Sequence, residues 1–593
     1  MIQELVELGE RLREQESSDK IIHDALKEET VSIDCVIDKD GNFLRFISFE
    51  KVWTTAEAIT AKKGKARLLL DKPEEVLGFW DESMEIETEK KDKIKKATEK
   101  KHELFMKKLL SYQEIKGIEP VLLFYKSNQI NGVEKALEEF PKSVQGKERN
   151  GNIAFRMTNK DCRIHEEPAV IQAIIERYES GQKENAGDKY CSICGKNNYP
   201  VVDIPHGMIK RVPSGQTSGC ALVSYNEDAF ESYGLVGNDN SSICTHCAKA
   251  YVESLNWLMQ NGSLLIDQRG KERFEYSNRK KIGDDTAIVF WSRKNDDFDF
   301  IQQLDQPDID EVKNLLETAF TGKERFLRMD DDVFYALTVS GAAARIAVRD
   351  WIEISLKDAK RNLAIWFDQI GIHTRNCLYF PSLYRMASAC DNARTSDKQL
   401  TSRVGSLLWQ AAIKNEMIPI WILSAVLGRI KAENQRDKNN KVIESVTPDR
   451  VSLIKLFLNR NSKKGGTHYM SDLDTSNKEI AYVCGRIFAV LERIQWHALG
   501  ETNATIRDRY FSSASTTPGL AFGRLMNLTQ KHLSKIKGEK PGLYVNLDRE
   551  LQTLCKDIED KEFPATFRLE EQGAFALGYY HQKNKKFDDK EGE

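Results

Sequence analysis

Cys191-x-x-Cys194 and Cys244-x-x-Cys247 are the residues best placed to do chemistry in this chain. Each short turn points two thiolates at one centre, and a tetrahedral zinc ion takes four. Four thiolates close the coordination sphere and leave no position for a reactive water, so the pattern predicts a structural zinc. Gly195 after the first pair fits a zinc knuckle, and His206 and His246 are alternative ligands. Between the pairs runs a loop of different character: Lys210 and Arg211, then Ser214, Gly215, Gln216, Thr217, Ser218 and Gly219. Glycine permits close backbone approach, and the hydroxyls and amide can donate to phosphates or groove acceptors. The spacing predicts that the metal pins the base of an excursion and that this loop is what the excursion presents.

Hydrolytic machinery is hard to find. The chain has no G-x-x-x-x-G-K-[ST], no H-E-x-x-H and no G-x-S-x-G. Asp330-Asp331-Asp332 could hold a magnesium ion, but consecutive carboxylates on a strand point to opposite faces, and they read as a turn or a cap before Val333.

The 593 residues are too many for one core and predict about four domains. A composition 40% hydrophobic and 30% charged is that of a globular protein. The net charge of -3 hides basic clusters at Lys62-Lys63-Gly64-Lys65, over Lys90 to Lys101, and at Arg279-Lys280-Lys281. Such patches can steer an anionic partner; the lysine run also reads as a solvated helix face. Of 11 cysteines, seven stand singly, which is no disulfide framework. MIQELVELGERLREQ has no signal-peptide core, and the run Met417 to Gly428 is too short to span a bilayer. The expectation is a reduced, cytoplasmic protein.

Residues 1–150 read as an N-terminal α/β domain. Ile2, Leu5, Leu8 and Leu12 have helical spacing, and Val31 to Cys35 alternates as a strand. Asp40-Gly41 marks a hairpin with both turn residues at positive φ. Pro120 to Tyr125 and Asn152 to Phe155 read as strands. Residues 151–320 carry the zinc-ribbon-like insertion. Residues 321–465 begin with two strands, Val333 to Leu337 and Ala344 to Val348, and turn helical from Trp351; Lys431 to Lys441 reads as a loop. Arg345 and Arg349, four apart on one strand, would face the same side, and pairing to acids within the chain is one reading of them. Residues 470–593 read as a helical bundle: Ser476-x-x-Glu479 as a capping box, a stripe from Ile480 to Leu491, Gly500 as a stop, a new helix at Thr517-Pro518 and Gly538 as its close. The fold class is α+β and multidomain.

Several segments resemble the large subunit of the type I-C CRISPR surveillance complex, Cascade. They are Gly215 to Gly219, Ala221 to Asn226 with Ala229 to Gly234, Arg345 to Trp351, Gly485 to Gln495, Ala514 to Pro518, and Gln572 to Gln582. The resemblance runs nearly end to end. It implies a non-catalytic, DNA-binding subunit that reads a protospacer-adjacent motif (PAM) in duplex DNA. It also implies help in opening the duplex to form an R-loop, and stabilisation of the displaced strand. Its implied partners are target DNA, CRISPR RNA held by backbone and handle-binding subunits, small subunits and a recruited helicase–nuclease, and no membrane. On this reading Ser214 to Gly219 contact the PAM, while Lys210 and Arg211 hold phosphate. Lys62, Lys63 and Lys65 join Arg345 and Arg349 as backbone or subunit contacts. The resemblance further implies a small subunit made by internal translation. Met470 is placed for it: a start there gives 124 residues, and Lys464-Gly465-Gly466 can be encoded as the ribosome-binding sequence AAAGGAGG.

Two other readings compete. An HNH-like nuclease could be built on the cysteine pairs, with His206 as the base. A zinc-ribbon assembly scaffold would have no affinity of its own for duplex DNA.

Overall fold

The structure, a computed structural model, describes residues 1–15, 23, 25–59, 66–81, 88–126, 131–184, 189–197, 199, 206–225, 227–231, 233–266, 270, 272–294, 299–321, 332–392, 399–432, 444–462, 466–502, 504–558 and 562–585. The chain forms two compact units. The first holds 1–209 and 221–256, the second 210–220 and 257–593. Both mix helices and strands, and the C-terminal part is helical.

In the first unit, strands β1 (Leu26–Ile37), β2 (Phe43–Glu57), β3 (Leu70–Asp71) and β4 (Ile153–Met157) form one sheet in the order β2-β1-β4-β3. The β1–β2 pair is antiparallel and β1–β4 parallel. Ile33, Cys35 and Ile37 alternate inward from β1 and pack with Phe105, Phe124, Phe140 and Phe155. Helix α1 (Ile2–Gln15) is fixed by the Ser254 hydroxyl, which donates to the Leu5 carbonyl at 2.7 Å. The lysine run lies on α2 (Thr88–Leu110), largely exposed, with Lys101 paired to Glu74 and Glu75.

Two expectations fail here. Pro120 to Tyr125 is not a strand: Glu119–Phe124 is a short helix with proline in its first turn, and Val121 and Phe124 are buried three apart. Apolar runs this short do not distinguish the two periods. At the β1–β2 turn only Gly41 takes positive φ, 81°. The Asp38 carboxylate accepts the N–H groups of Asp40 and Asn42, both at 2.9 Å, and shapes a longer loop.

In the second unit, β5 (Arg279–Ile282), β6 (Thr286–Ser292), β7 (Val333–Ala342) and β8 (Arg345–Ser355) pair antiparallel in chain order. Their inner face, with Ile288, Phe290, Phe334, Ala336 and Ile352, joins one apolar core with the helices that follow. Those helices include α4 (Leu356–Ile370), α5 (Pro448–Asn461), α6 (Ile480–Leu499), α7 (Ile506–Thr516), α8 (Pro518–Glu539), α9 (Pro541–Lys556) and α10 (Leu569–Lys583), α3 being Thr245–Gln260. Helices α6 and α10 cross at glycines that belong to the C-terminal motifs. A Cβ on Gly485 would fall 2.0 Å from the Phe575 carbonyl oxygen, and one on Gly578 2.1 Å from that of Tyr482. The stretch from Arg486 to Leu491 is buried between its neighbours.

Gly500 ends α6 as expected, at φ 68°. The capping box does not form. The helix starts at Ile480 with Glu479 as its N-cap, the Ser476 hydroxyl donates to Asp474 at 2.6 Å, and Glu479 takes the Tyr469 hydroxyl instead. Gly538 lies inside α8, which runs to Glu539 and stops because Pro541 opens α9. Of the expected 431–441 loop, Lys431 and Ala432 end a helix and the rest lies outside the described residues. Among the described residues no helix is long and apolar enough to cross a membrane.

Candidate metal centre and nucleic-acid interface

The four paired cysteines converge within the first unit. Their sulfurs lie within 4.8 Å of one another, and Cys194 alone is exposed. Cys191 and Cys247 are 3.9 Å apart, Cys194 and Cys244 3.8 Å. A tetrahedral zinc with bonds of ~2.3 Å holds its sulfurs ~3.8 Å apart, so the cluster has the dimensions for the ion. The first pair sits on a knuckle: Gly195, at φ 72°, donates its N–H to the Cys191 carbonyl at 3.0 Å. The Cys244 N–H donates to the Cys191 sulfur at 3.3 Å. Cys247 lies in the first turn of α3. Thiol donation from Cys247 pulls Cys244 down to about 5. Neither histidine takes part: His246 faces Glu10 at 3.3 Å, and His206 meets the Tyr251 hydroxyl at 2.9 Å and Ser241 at 3.4 Å. The donor set is therefore four sulfurs, and zinc would be held by this chain's Cys191, Cys194, Cys244 and Cys247.

The loop from Lys210 to Gly219 belongs to the second unit. It is two successive turns. Gly215 donates its N–H to Val212 O at 3.1 Å, and Gly219 to Gln216 O at 3.0 Å. Val212, Pro213, Gly219 and Cys220 are buried, whereas Lys210, Arg211, Ser214, Gln216, Thr217 and Ser218 are exposed. The anchors thus point in and the hydrogen-bonding groups point out. The bonds that fix the loop come from the end of β7 and the turn that follows it. Gly341 donates to Pro213 O at 2.8 Å, Gln216 donates to Ala343 O at 3.2 Å, and the Cys220 thiol reaches Ala343 O at 3.3 Å.

Backbone strain gathers at this junction. Six described non-glycine residues have positive φ, and three of them are here: Arg211 at 59°, Ser214 at 58° and Ala343 at 52°. Such conformations persist where the surroundings over-determine them, and they cluster at functional sites.

Basic side chains adjoin the loop. Burial, then the Coulomb field of Arg211, lowers Arg279, which caps Met259 O at 3.3 Å. Arg345 is half-buried beside the turn. Arg349 does not share its face by simple alternation. Thr338 pairs with Asp350 and Val339 with Val348, so Arg349 is the extra residue of a β-bulge. It is exposed, and its Nε donates to the Ser340 hydroxyl at 2.8 Å. Lys62, Lys63 and Lys65 lie outside the described residues. Met470 is exposed, 54%. Asp330 and Asp331 lie outside the described residues, and the buried Asp332 carboxylate accepts the N–H groups of Lys294 at 3.0 Å and Val333 at 2.8 Å.

Gly341 and Ala343, the residues that hold the loop, were not singled out from the sequence. Their signal was the small-residue run Gly341-Ala-Ala-Ala344 between two strands, which marks a close backbone approach.

No curated protein matches the chain. A family described as CRISPR-associated protein (Cas_Csd1) matches residues 5–587, nearly its whole length, and includes the cysteine cluster, the strained loop and the α6–α10 crossing. The chain belongs to this family of CRISPR-associated proteins.

Proposed function

We propose that this chain is the large subunit of a type I-C Cascade and that its Lys210–Gly219 loop reads the PAM in duplex DNA. The observation that carries the reading is the loop itself. Ser214, Gln216, Thr217 and Ser218 are displayed on a strained backbone that a neighbouring turn holds in place. Small hydroxyls and an amide that both donates and accepts suit base edges in a confined groove. Arg211, Arg345 and Arg349 supply positive charge for the flanking phosphates. CRISPR RNA, carried by other subunits, pairs with the remaining target sequence, and a recruited helicase–nuclease cuts; the same division between PAM reading and base pairing operates in another effector class. The zinc centre is a structural clip that stabilises by binding the folded form. His206, half-buried and engaged by Tyr251 and Ser241, favours this non-catalytic reading over an HNH-like nuclease.

The assembled complex tests it. Gln216→Ala and Ser218→Ala are expected to erase the preference for PAM-bearing duplex, by about 1–3 kcal/mol for each base edge left without its partner. Arg345→Ala with Arg349→Ala is expected to weaken all duplexes and flatten the salt slope by ~0.9 for each phosphate no longer neutralised. Unchanged PAM discrimination in the loop variants refutes the assignment. Unaided cleavage of DNA with magnesium refutes the non-catalytic reading.

A further inference from the structure

A second strained position stands apart from the recognition loop. Tyr233, in the first unit, has φ 56° and is 101% exposed. Left-handed backbone is uncommon for a bulky residue, and a ring lying wholly in solvent gains no burial to offset it. The glycines Gly234 and Gly237, at φ 74° and 53°, continue the turn. Bonds beyond it fix the segment: Asp239 N–H to Val236 O at 3.1 Å, and Asn240 Nδ2 to Leu235 O at 3.2 Å. Lys189 pairs with Asp239, which ties the turn to the zinc knuckle through the neighbouring Tyr190 and Cys191. Leu235, Val236 and Tyr190 are also exposed, at 41%, 59% and 59%.

We propose that Tyr233, with Leu235, Val236 and Tyr190, is a docking knob for a partner protein of the same CRISPR system, one whose surface is an apolar pocket with a basic rim. The inference rests on the multi-subunit reading above. Charge selects the class of partner. Glu227 and Glu231, both exposed, precede the tyrosine by six and two positions in the chain, and Lys189 is engaged by Asp239. This rim repels a polyanion and complements a cationic protein surface. Tyrosine is a preferred interface anchor, and a turn fixed before binding loses little freedom on docking.

The test offers the full chain to each purified CRISPR-associated subunit of its own locus and follows assembly by gel filtration and titration. Tyr233→Gly removes the ring and also relieves the left-handed backbone, so the melting temperature is expected to hold or rise. Affinity for one subunit is expected to fall on the order of 30-fold, the loss of an anchor residue. Tyr233→Phe should keep most of it. If Tyr233→Gly assembles as the wild type does, the knob is refuted while the multi-subunit reading stands. If the wild-type chain binds no subunit at all, both fall. Ultraviolet cross-linking of Tyr233 to DNA or RNA in the assembled complex, in place of protein, also overturns the proposal.

Discussion

Gly341 near the end of β7 and Gly215 in the Lys210–Gly219 loop touch backbone to backbone. A Cβ on Gly341 would stand 2.3 Å from the Gly215 nitrogen and 2.5 Å from its Cα. The loop therefore rests on a surface that only hydrogen can occupy.

Gly341→Ala is expected to push the loop off the turn. The added methyl costs about 1–3 kcal/mol if the loop stays, and the bond from Gly341 N–H to Pro213 O is lost if it moves. PAM-dependent binding should fall at least about tenfold while the far-ultraviolet circular dichroism stays unchanged. Binding assays on duplexes with and without the motif check this; an intact preference would show that the turn does not set the loop.

The cysteine cluster is expected to carry one zinc per chain, measurable by plasma mass spectrometry. Cys191→Ser and Cys247→Ser should each lose it, as should treatment with a strong chelator. Structural zinc contributes folding free energy outright, so loss of the metal should lower the melting temperature of the first unit. At about 2–4 °C per kcal/mol for a unit of this size, a deficit of several kcal/mol is readily seen.

His581 gives the second unit an acid-sensitive core. Burial, then the positive field of Lys455, pushes its pKa down to about 3, and its Nδ1 meets the Tyr482 hydroxyl at 2.9 Å. The unfolded chain takes up this proton near pH 6.5 and the folded chain only near 3. Between those values the unfolded state binds more protons, so stability is full above pH 6.5 and falls with acidification by up to ~1.4 kcal/mol per pH unit. His165, down to about 4 mainly through burial, adds the same trend to the first unit. His581→Gln should flatten the denaturation profile of the second unit between pH 6 and 4; an unaltered slope would assign the acid sensitivity elsewhere.

A short product beginning at Met470 would lack α5, whose Ile454 and Leu458 lie against Gly573 of α10, as does Leu423. Such a fragment would expose an apolar strip and is expected to be found only bound to another protein. Met470→Leu should abolish it, with the full-length chain still made. Its persistence would place the start elsewhere or remove the idea.

The sequence made parts of this molecule legible for plain physical reasons. The cysteine pairs announced their cluster because two-residue spacing leaves thiolates few geometries. Strands β7 and β8 and the stripe of α6 were visible because their periods are long enough to count, though β8 runs on to Ser355 past the expected helical change at Trp351. The segment at Pro120 was not, since six apolar residues fit either period. Arg349 was misplaced because a bulge is a property of the pair of strands and leaves no trace in one of them. The support under the loop was hidden for a similar reason. Residues 210–220 and 341–343 are more than a hundred positions apart, and only the folded chain shows that one carries the other.

The notch between Gly485 and Gly578 changes how the far end of the gene should be regarded. Helix α10 fills a trough whose walls, Phe488 and Phe511, meet its Phe575 and Tyr579 rings. A premature stop before Leu569 would leave that trough open to water. A nonsense codon late in the reading frame should thus be as damaging to the folded protein as one near its beginning.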